Sequence, residues 1–259
     1  MPVGIMARSG RRVAGVVAAL LAAGLAVAAM AGCSVNVGAL SNRVSTYTVS
    51  GAVRTLVVRT QTGTVDIVGH RSRTVRVTEQ ISYHSTAPAP THRNSAGTLT
   101  LLSNCPALET CSVSYVVMVP RATAVQVEVN VGTIKLASLS GKVTAHTNVG
   151  DIDMTSVSGP LDVTGHAGSV LGQGVSSAKA TLSVSTGQIS VTFSAAPVAV
   201  TATAAIGSVT LRVPGSAAYR VNTTVGVGST HITVTRSPSA PHAITATTTT
   251  GSITIEPAS

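Results

Sequence analysis

The chain has 259 residues, of which 44% are hydrophobic, 10% charged and 2% aromatic, and its formal net charge is +9. The basic residues are scattered rather than gathered into a run, and rings on which bases could stack are nearly absent, which excludes a nucleic-acid interface. Val and Thr dominate while Glu, Lys, Gln and Met are scarce, so the expected fold class is all-β with an aliphatic core.

Residues 1–12 are short and basic, carrying Arg8, Arg11 and Arg12, and residues 13–32 form an uncharged apolar run. This is the two-part pattern of a secretory leader. Without those three arginines the chain still carries +6, enough for a weak attraction to anionic lipid or wall polymer. The run ends in Met30-Ala31-Gly32-Cys33, which resembles the bacterial lipobox, Leu-Ala/Ser-Gly/Ala-Cys. The resemblance implies that residues 1–32 are a lipoprotein signal peptide and that Cys33 is the lipidated mature N-terminus. Diacylglycerol plus a further chain such as palmitate would hold it firmly. Two alternatives stay open: an uncleaved apolar span, and cleavage at an Ala-x-Ala site such as Ala29-Met30-Ala31. Lipidation and the uncleaved span both place the body on the extracytoplasmic face of the cell membrane.

Residues 33–48 are polar, contain Gly and Ser, and read as a tether. Residues 49–259 read as one β-strand-repeat domain. Its first part, 49–120, is expected to be an N-terminal cap sheet with strands at 53–59, 73–82, 98–103 and 112–119 and a Pro/Ser/Thr-rich loop at 84–98. If Cys33 carries lipid, Cys105 and Cys111 remain, and an oxidising compartment permits them to form a disulfide. A redox pair or half of a metal site are the alternatives, and both lack the required spacing or partners.

From Gly63 onward a five-residue pattern recurs: Gly, any residue, Val/Ile, any residue, an aliphatic. It stands at Gly63–Ile67, Gly132–Leu136, Gly150–Met154, Gly187–Val191, Gly207–Leu211 and Gly251–Ile255, with looser copies at Gly141, Gly159 and Gly168. Gly132, Gly141, Gly150, Gly159 and Gly168 fall nine residues apart, but the true unit is eighteen, because Asn130-Val-Gly recurs as Asn148-Val-Gly. Beyond Gly168 the spacing relaxes through Gly187, Gly207, Gly228 and Gly251. Periods of this size indicate stacked supersecondary units. The expected architecture is a β-solenoid with about 18–23 residues per coil over residues 121–259. At ~4.8 Å per coil, about six coils make a rod of roughly 30 Å. The narrow core would also account for the missing rings. Ile134 and Leu136 should face inward and Thr133 and Lys135 outward. Lys135 and Asp153, one unit apart, should be lateral neighbours. An antiparallel β-sandwich is the alternative.

Together these features resemble a family of bacterial envelope proteins called putative adhesins, β-strand-repeat domains of unknown function. The family's hallmark is serial Gly-[Asp/Ser/Thr]-[Ile/Val]-x-[Val/Leu] strands behind a leader or anchor, and the likeness spans residues 49–259. It implies a surface location and no catalytic residues. Some members are encoded near envelope-stress systems.

Candidate chemistry is sparse. Asp151 and Asp153 form an Asp-x-Asp, with Asp162 one half-unit later. A calcium loop would need a Gly-rich cradle that is missing. Paired carboxylates also serve glycoside hydrolysis, for which ring platforms are scarce. His70, His84, His92, His146, His166, His231 and His242 are dispersed, although His84 and His92 share a loop. No nucleophile, metal or cofactor site can be assigned. The expected function is therefore a non-catalytic cell-envelope surface lipoprotein, an adhesin-like binding or structural module meeting wall polymer or another envelope protein. An accessory or sensor role in an envelope-stress pathway is the alternative, and a solenoid polysaccharide hydrolase or lyase is the third reading.

Overall fold

Alternating aliphatic and polar residues bury every second side chain along most of the repeat strands; the strand at 219–232 is the exception, with Tyr219 its one buried residue. Residues 40–105 and 110–258 are described in a computed structural model of the protein. They form an all-β unit with no helix. Its strands are β1 (Ser41–Val49), β2 (Thr55–Thr62), β3 (Val65–His70), β4 (Val75–Tyr83), β5 (Thr91–Ser95), β6 (Thr98–Leu102), β7 (Cys111–Pro120) and β8 (Ala124–Val131). They continue as β9 (Ile134–Ala137), β10 (Val143–Val149), β11 (Ile152–Thr155), β12 (Leu161–Val175), β13 (Lys179–Phe193), β14 (Ala199–Pro214), β15 (Tyr219–Ile232) and β16 (His242–Ala258).

From β8 onward the ladder pairs are parallel. The eighteen-residue unit is visible directly in the register: Val143 pairs with Leu161, Ile152 with Val170, and Lys135 with Asp153, the predicted neighbours. Inward positions therefore stack like on like. Leu56, Val125, Val143, Leu161, Ala180, Val200 and Ile244 form one such column, and Val65, Ile134, Ile152, Val170, Ile189, Val209 and Ile253 another; each of these side chains is buried. Burying an aliphatic side chain of this size contributes about 1.5–3 kcal/mol. The stack therefore gains stability layer by layer from nearest neighbours.

The repeat glycines lie between the two halves of each layer, at bends for Gly63, Gly132 and Gly150 but inside the continuous strands β12 to β16 for Gly168, Gly187, Gly207, Gly228 and Gly251, where short strands separated by turns were expected. Gly150 has φ +135°, a region that suits glycine, and a Cβ there would lie 1.9 Å from the carbonyl oxygen of Gly132. The same contact links Gly63, Gly132, Gly150, Gly168, Gly187, Gly207, Gly251 and Gly228 into one column. Gly141 and Gly159 belong to a different corner, where a Cβ on Gly159 would meet the Gly141 carbonyl oxygen at 1.8 Å. This explains why half-units nine residues apart are not equivalent.

Several expectations are corrected. The tether expected over 33–48 ends early: Ser41–Thr48 lies in β1, paired antiparallel with β4, while residues 33–39 lie outside the described residues. The region 49–120 is not a separate cap sheet throughout, because β2 and β3 pair in parallel with β8 and β9, and β6 and β7 pair in parallel with β2 and β3. Antiparallel pairing is confined to β1 with β4, β4 with β7 and β5 with β6. Within the loop expected at 84–98, residues Thr91–Ser95 are β5 and Thr98 opens β6. Spatial order also departs from chain order. The β6–β7 layer lies outside the β2–β3 layer, and β16 lies between β14 and β15. Rings do enter the core: Tyr115, Phe193 and Tyr219 are fully buried, with Tyr219 opening the terminal strand β15.

Candidate binding surface

Outward positions stack in columns just as inward ones do, so the outer face of the β8–β10–β12 half of the ladder is a grid of side chains. One column reads Arg59, Glu128, His146 and Thr164 through successive Cα pairs. The column two residues along reads Gln61, Asn130, Asn148 and His166 at the same phase. These groups touch one another. Arg59 Nε donates to Glu128 Oε2 at 3.1 Å, Asn148 Nδ2 donates to Asn130 Oδ1 at 2.6 Å, and His146 Nε2 lies 3.1 Å from Asn148 Oδ1. The His146 and His166 rings meet edge to face with centroids 5.4 Å apart.

A shallow depression of ≈320 Å³ opens at the start of this grid. Its floor includes Arg59, Gln61, Glu128, Asn130 and Asn148, and its wall is Leu102, Ser103 and Asn104. The wall exists because β6 ends at Leu102 and the chain leaves the ladder there. Ser103 Oγ donates to Gln61 Oε1 and accepts from the Gln61 backbone N–H, tying wall to floor. Two residues beyond Ser103, Cys105 is bonded to Cys111, the first residue of β7, with Cα atoms 5.9 Å apart. The bridge is thus the disulfide of the three options open in the sequence.

Beyond β12 the same two columns change chemistry. The first continues as Ser183, Thr203, Thr247 and Thr224, and the second as Ser185, Ala205, Thr249 and Gly226. The same parallel ladder therefore carries amide, imidazole, carboxylate and guanidinium groups at one end and hydroxyls with Ala205 and Gly226 at the other.

The acids singled out in the sequence do not converge. Asp153 sits beside Lys135, which in turn faces Asp66, in a separate depression of ≈560 Å³. Asp151 Oδ1 accepts from the Ser169 N–H at 2.8 Å. Asp162 lies between Thr144 and Thr181 on the other half of the ladder. Among the described residues no group of three His, Cys, Asp or Glu is placed to hold a metal. The loop partners His84 and His92 also separate: His92 stacks on Tyr47 with ring centroids 4.3 Å apart, while the His84 N–H bonds the Thr110 carbonyl. His70 Nδ1 accepts from the Ser72 N–H, His242 Nδ1 lies 2.9 Å from the Pro197 carbonyl oxygen, and His231 pairs with Thr254. The pair His146–His166 was not foreseen, because twenty residues separate them rather than eighteen and they meet diagonally. Cys33 lies outside the described residues.

A second polar cluster lies in the antiparallel layer. Glu79 is buried between β1 and β7, where it accepts from Tyr47 Oη at 2.6 Å and pairs with Tyr115 across the ladder. Burial first, and then the neighbouring Glu79, push both phenols well above their ordinary value of 10.0. Tyr115 Oη is buried with no hydrogen-bond partner.

No model of a known protein family matches the chain, and no curated protein matches it in sequence. Among solved structures, it is similar to a putative adhesin from Bacteroides fragilis, with 15% identity and a TM-score of 0.46, over 83% of this chain and 97% of that one. A putative cell adhesion protein from Clostridium sporogenes superposes over 84% of this chain and 100% of its own, at 13% identity and a TM-score of 0.41. A putative adhesin from Parabacteroides merdae covers 86% and 97% at 13% identity and a TM-score of 0.40. The chain resembles solved proteins described as putative adhesins.

Proposed function

We propose that this protein is a non-catalytic surface module of the cell envelope, held at the membrane by lipid on Cys33 and built as a β-solenoid rod. The observation that carries this reading is the parallel register: the same side-chain positions recur down one outer face from Arg59 to Thr224. An outer grid with evenly spaced side chains along one axis suits an extended ligand better than a small substrate. The separation of Asp151, Asp153 and Asp162 supports a binding role over a hydrolytic one. In the domain reading, residues 1–32 are the signal peptide, 33–40 the tether that remains, and the rest the rod.

Labelling cells with an acyl-chain probe tests the anchor. Wild type should incorporate the probe and Cys33→Ala should not; equal labelling removes the lipoprotein reading. Crosslinking in live cells followed by mass spectrometry tests the binding role. Wall polymer or an envelope protein should be recovered with the rod, whereas recovery of one membrane signalling protein alone would favour the sensor role.

A further inference from the structure

We propose that the groove bounded by Arg59, Gln61, Ser103, Glu128, Asn130 and Asn148 is a binding site for a neutral glycan strand lying along the stack. The inference rests on the surface-module reading and names its ligand class.

The stack supplies its own control. Past β12, the same columns hold Ser183, Thr203, Thr247 and Ala205 on the same parallel backbone. Packing therefore does not require planar polar groups at these outward positions, yet the first four layers of the grid place seven of them there: Arg59, Gln61, Glu128, Asn130, His146, Asn148 and His166. Five of the seven, all but His146 and His166, line the depression walled by Leu102, Ser103 and Asn104.

The hydrogen-bonding inventory points to hydroxyls. Among the described residues, Arg59 Nη1 and Nη2, Glu128 Oε1, Gln61 Nε2 and Asn130 Nδ2 have no partner within the protein. The free groups are thus nitrogen donors on Arg59, Gln61 and Asn130 around one carboxylate oxygen of Glu128, and each side chain is held by a neighbour through its other polar atom. Fixed, planar, two-sided groups of this kind match the adjacent hydroxyls of a sugar, which both donate and accept. Charge selects against an anion: the single guanidinium in the groove is already paired with Glu128 at 3.1 Å. The layers repeat at about 4.8 Å, so a linear chain can meet the carboxamides of Gln61, Asn130 and Asn148 on successive layers. With no ring lining the groove to stack on a sugar face, each site relies on hydrogen bonds, and affinity for a short oligosaccharide should be weak, with Kd of the order of millimolar.

The test is titration of the full chain with cellotetraose, maltotetraose, mannotetraose and chitotetraose, followed by NMR saturation transfer and calorimetry, with inorganic phosphate as the anionic comparison. At least one tetraose should bind and phosphate should not. The double variant Asn130→Ala/Asn148→Ala, both exposed or half-buried, should keep its melting temperature and weaken that binding by about tenfold. The matched variant Thr203→Ala/Thr247→Ala should leave it unchanged. Binding of no tetraose, preference for phosphate, or equal loss in both variants would overturn the proposal. Capture of a wall or envelope partner by the Asn130→Ala/Asn148→Ala variant at the wild-type level would overturn it while leaving the surface-module reading intact.

Discussion

Gly150 and Gly174 both have positive φ, at +135° and +62°, but only Gly150 has a neighbour's carbonyl where a Cβ would go. At Gly174 the nearest such atom is Ser156 Oγ at 3.8 Å. Gly174→Ala should therefore cost about 1–2 kcal/mol, the ordinary left-handed penalty. Gly150→Ala must also push two layers apart and should cost more than about 3 kcal/mol. Urea denaturation of the two variants checks the order. The tyrosines at Glu79 give a second residue-scale prediction. Tyr47→Phe removes the donor to a buried carboxylate and should destabilise by about 1–3 kcal/mol, whereas Tyr115→Phe deletes a hydroxyl with no partner and should be neutral or stabilising. Both phenols are raised in the folded state, so their contribution is complete below the ordinary phenol value near pH 10 and declines above it, as the unfolded chain ionises first. Stability should be flat through neutral pH and fall at alkaline pH, less steeply in Tyr115→Phe.

At the scale of elements, the Cys105–Cys111 bridge closes a loop only six residues apart in sequence. By the chain-entropy argument its removal in Cys105→Ser/Cys111→Ser should cost about 2 kcal/mol. The wall Ser103–Asn104 should then become more accessible to proteolysis than β10 or β12, which limited digestion with mass spectrometry would show. The terminal strands differ in the same sense. β15 has fourteen residues, yet it pairs only with β16 apart from a bridge between Tyr219 and Arg236, and its side chains are mostly exposed. A strand open along one edge should exchange its amides faster than the central strands β12 and β13.

At the scale of the whole molecule, layer order makes a prediction that chain order would not. Because β16 separates β14 from β15, deleting residues 242–258 removes the sole ladder partner of β15. Hydrogen exchange should then show lost protection across residues 219–232 as well, although they remain in the chain. Retained protection there would mean that β15 can re-pair with β14, as sequence order suggests.

The strand phase, the inward aliphatics, the outward Lys135 and Asp153 and the column shared by the glycines were legible in the sequence, because a two-residue side-chain period and an eighteen-residue repeat fix which face each residue takes and which residues share a column. The end of the tether and the strand Thr91–Ser95 were not, since their polar composition is that of a loop and only pairing with β4 and β6 makes them strands. Nor was the layer order, because a repeating pattern makes several edges equally compatible with one strand. The choice of neighbour belongs to the assembled sheet. That choice brought Arg59 of β2 beside Glu128 of β8, sixty-nine residues away, and set the Asn130–Asn148 ladder against a wall from β6. The sequence alone determined what each layer presents; the tertiary structure decided which layers meet, because backbone edges carry no side-chain identity.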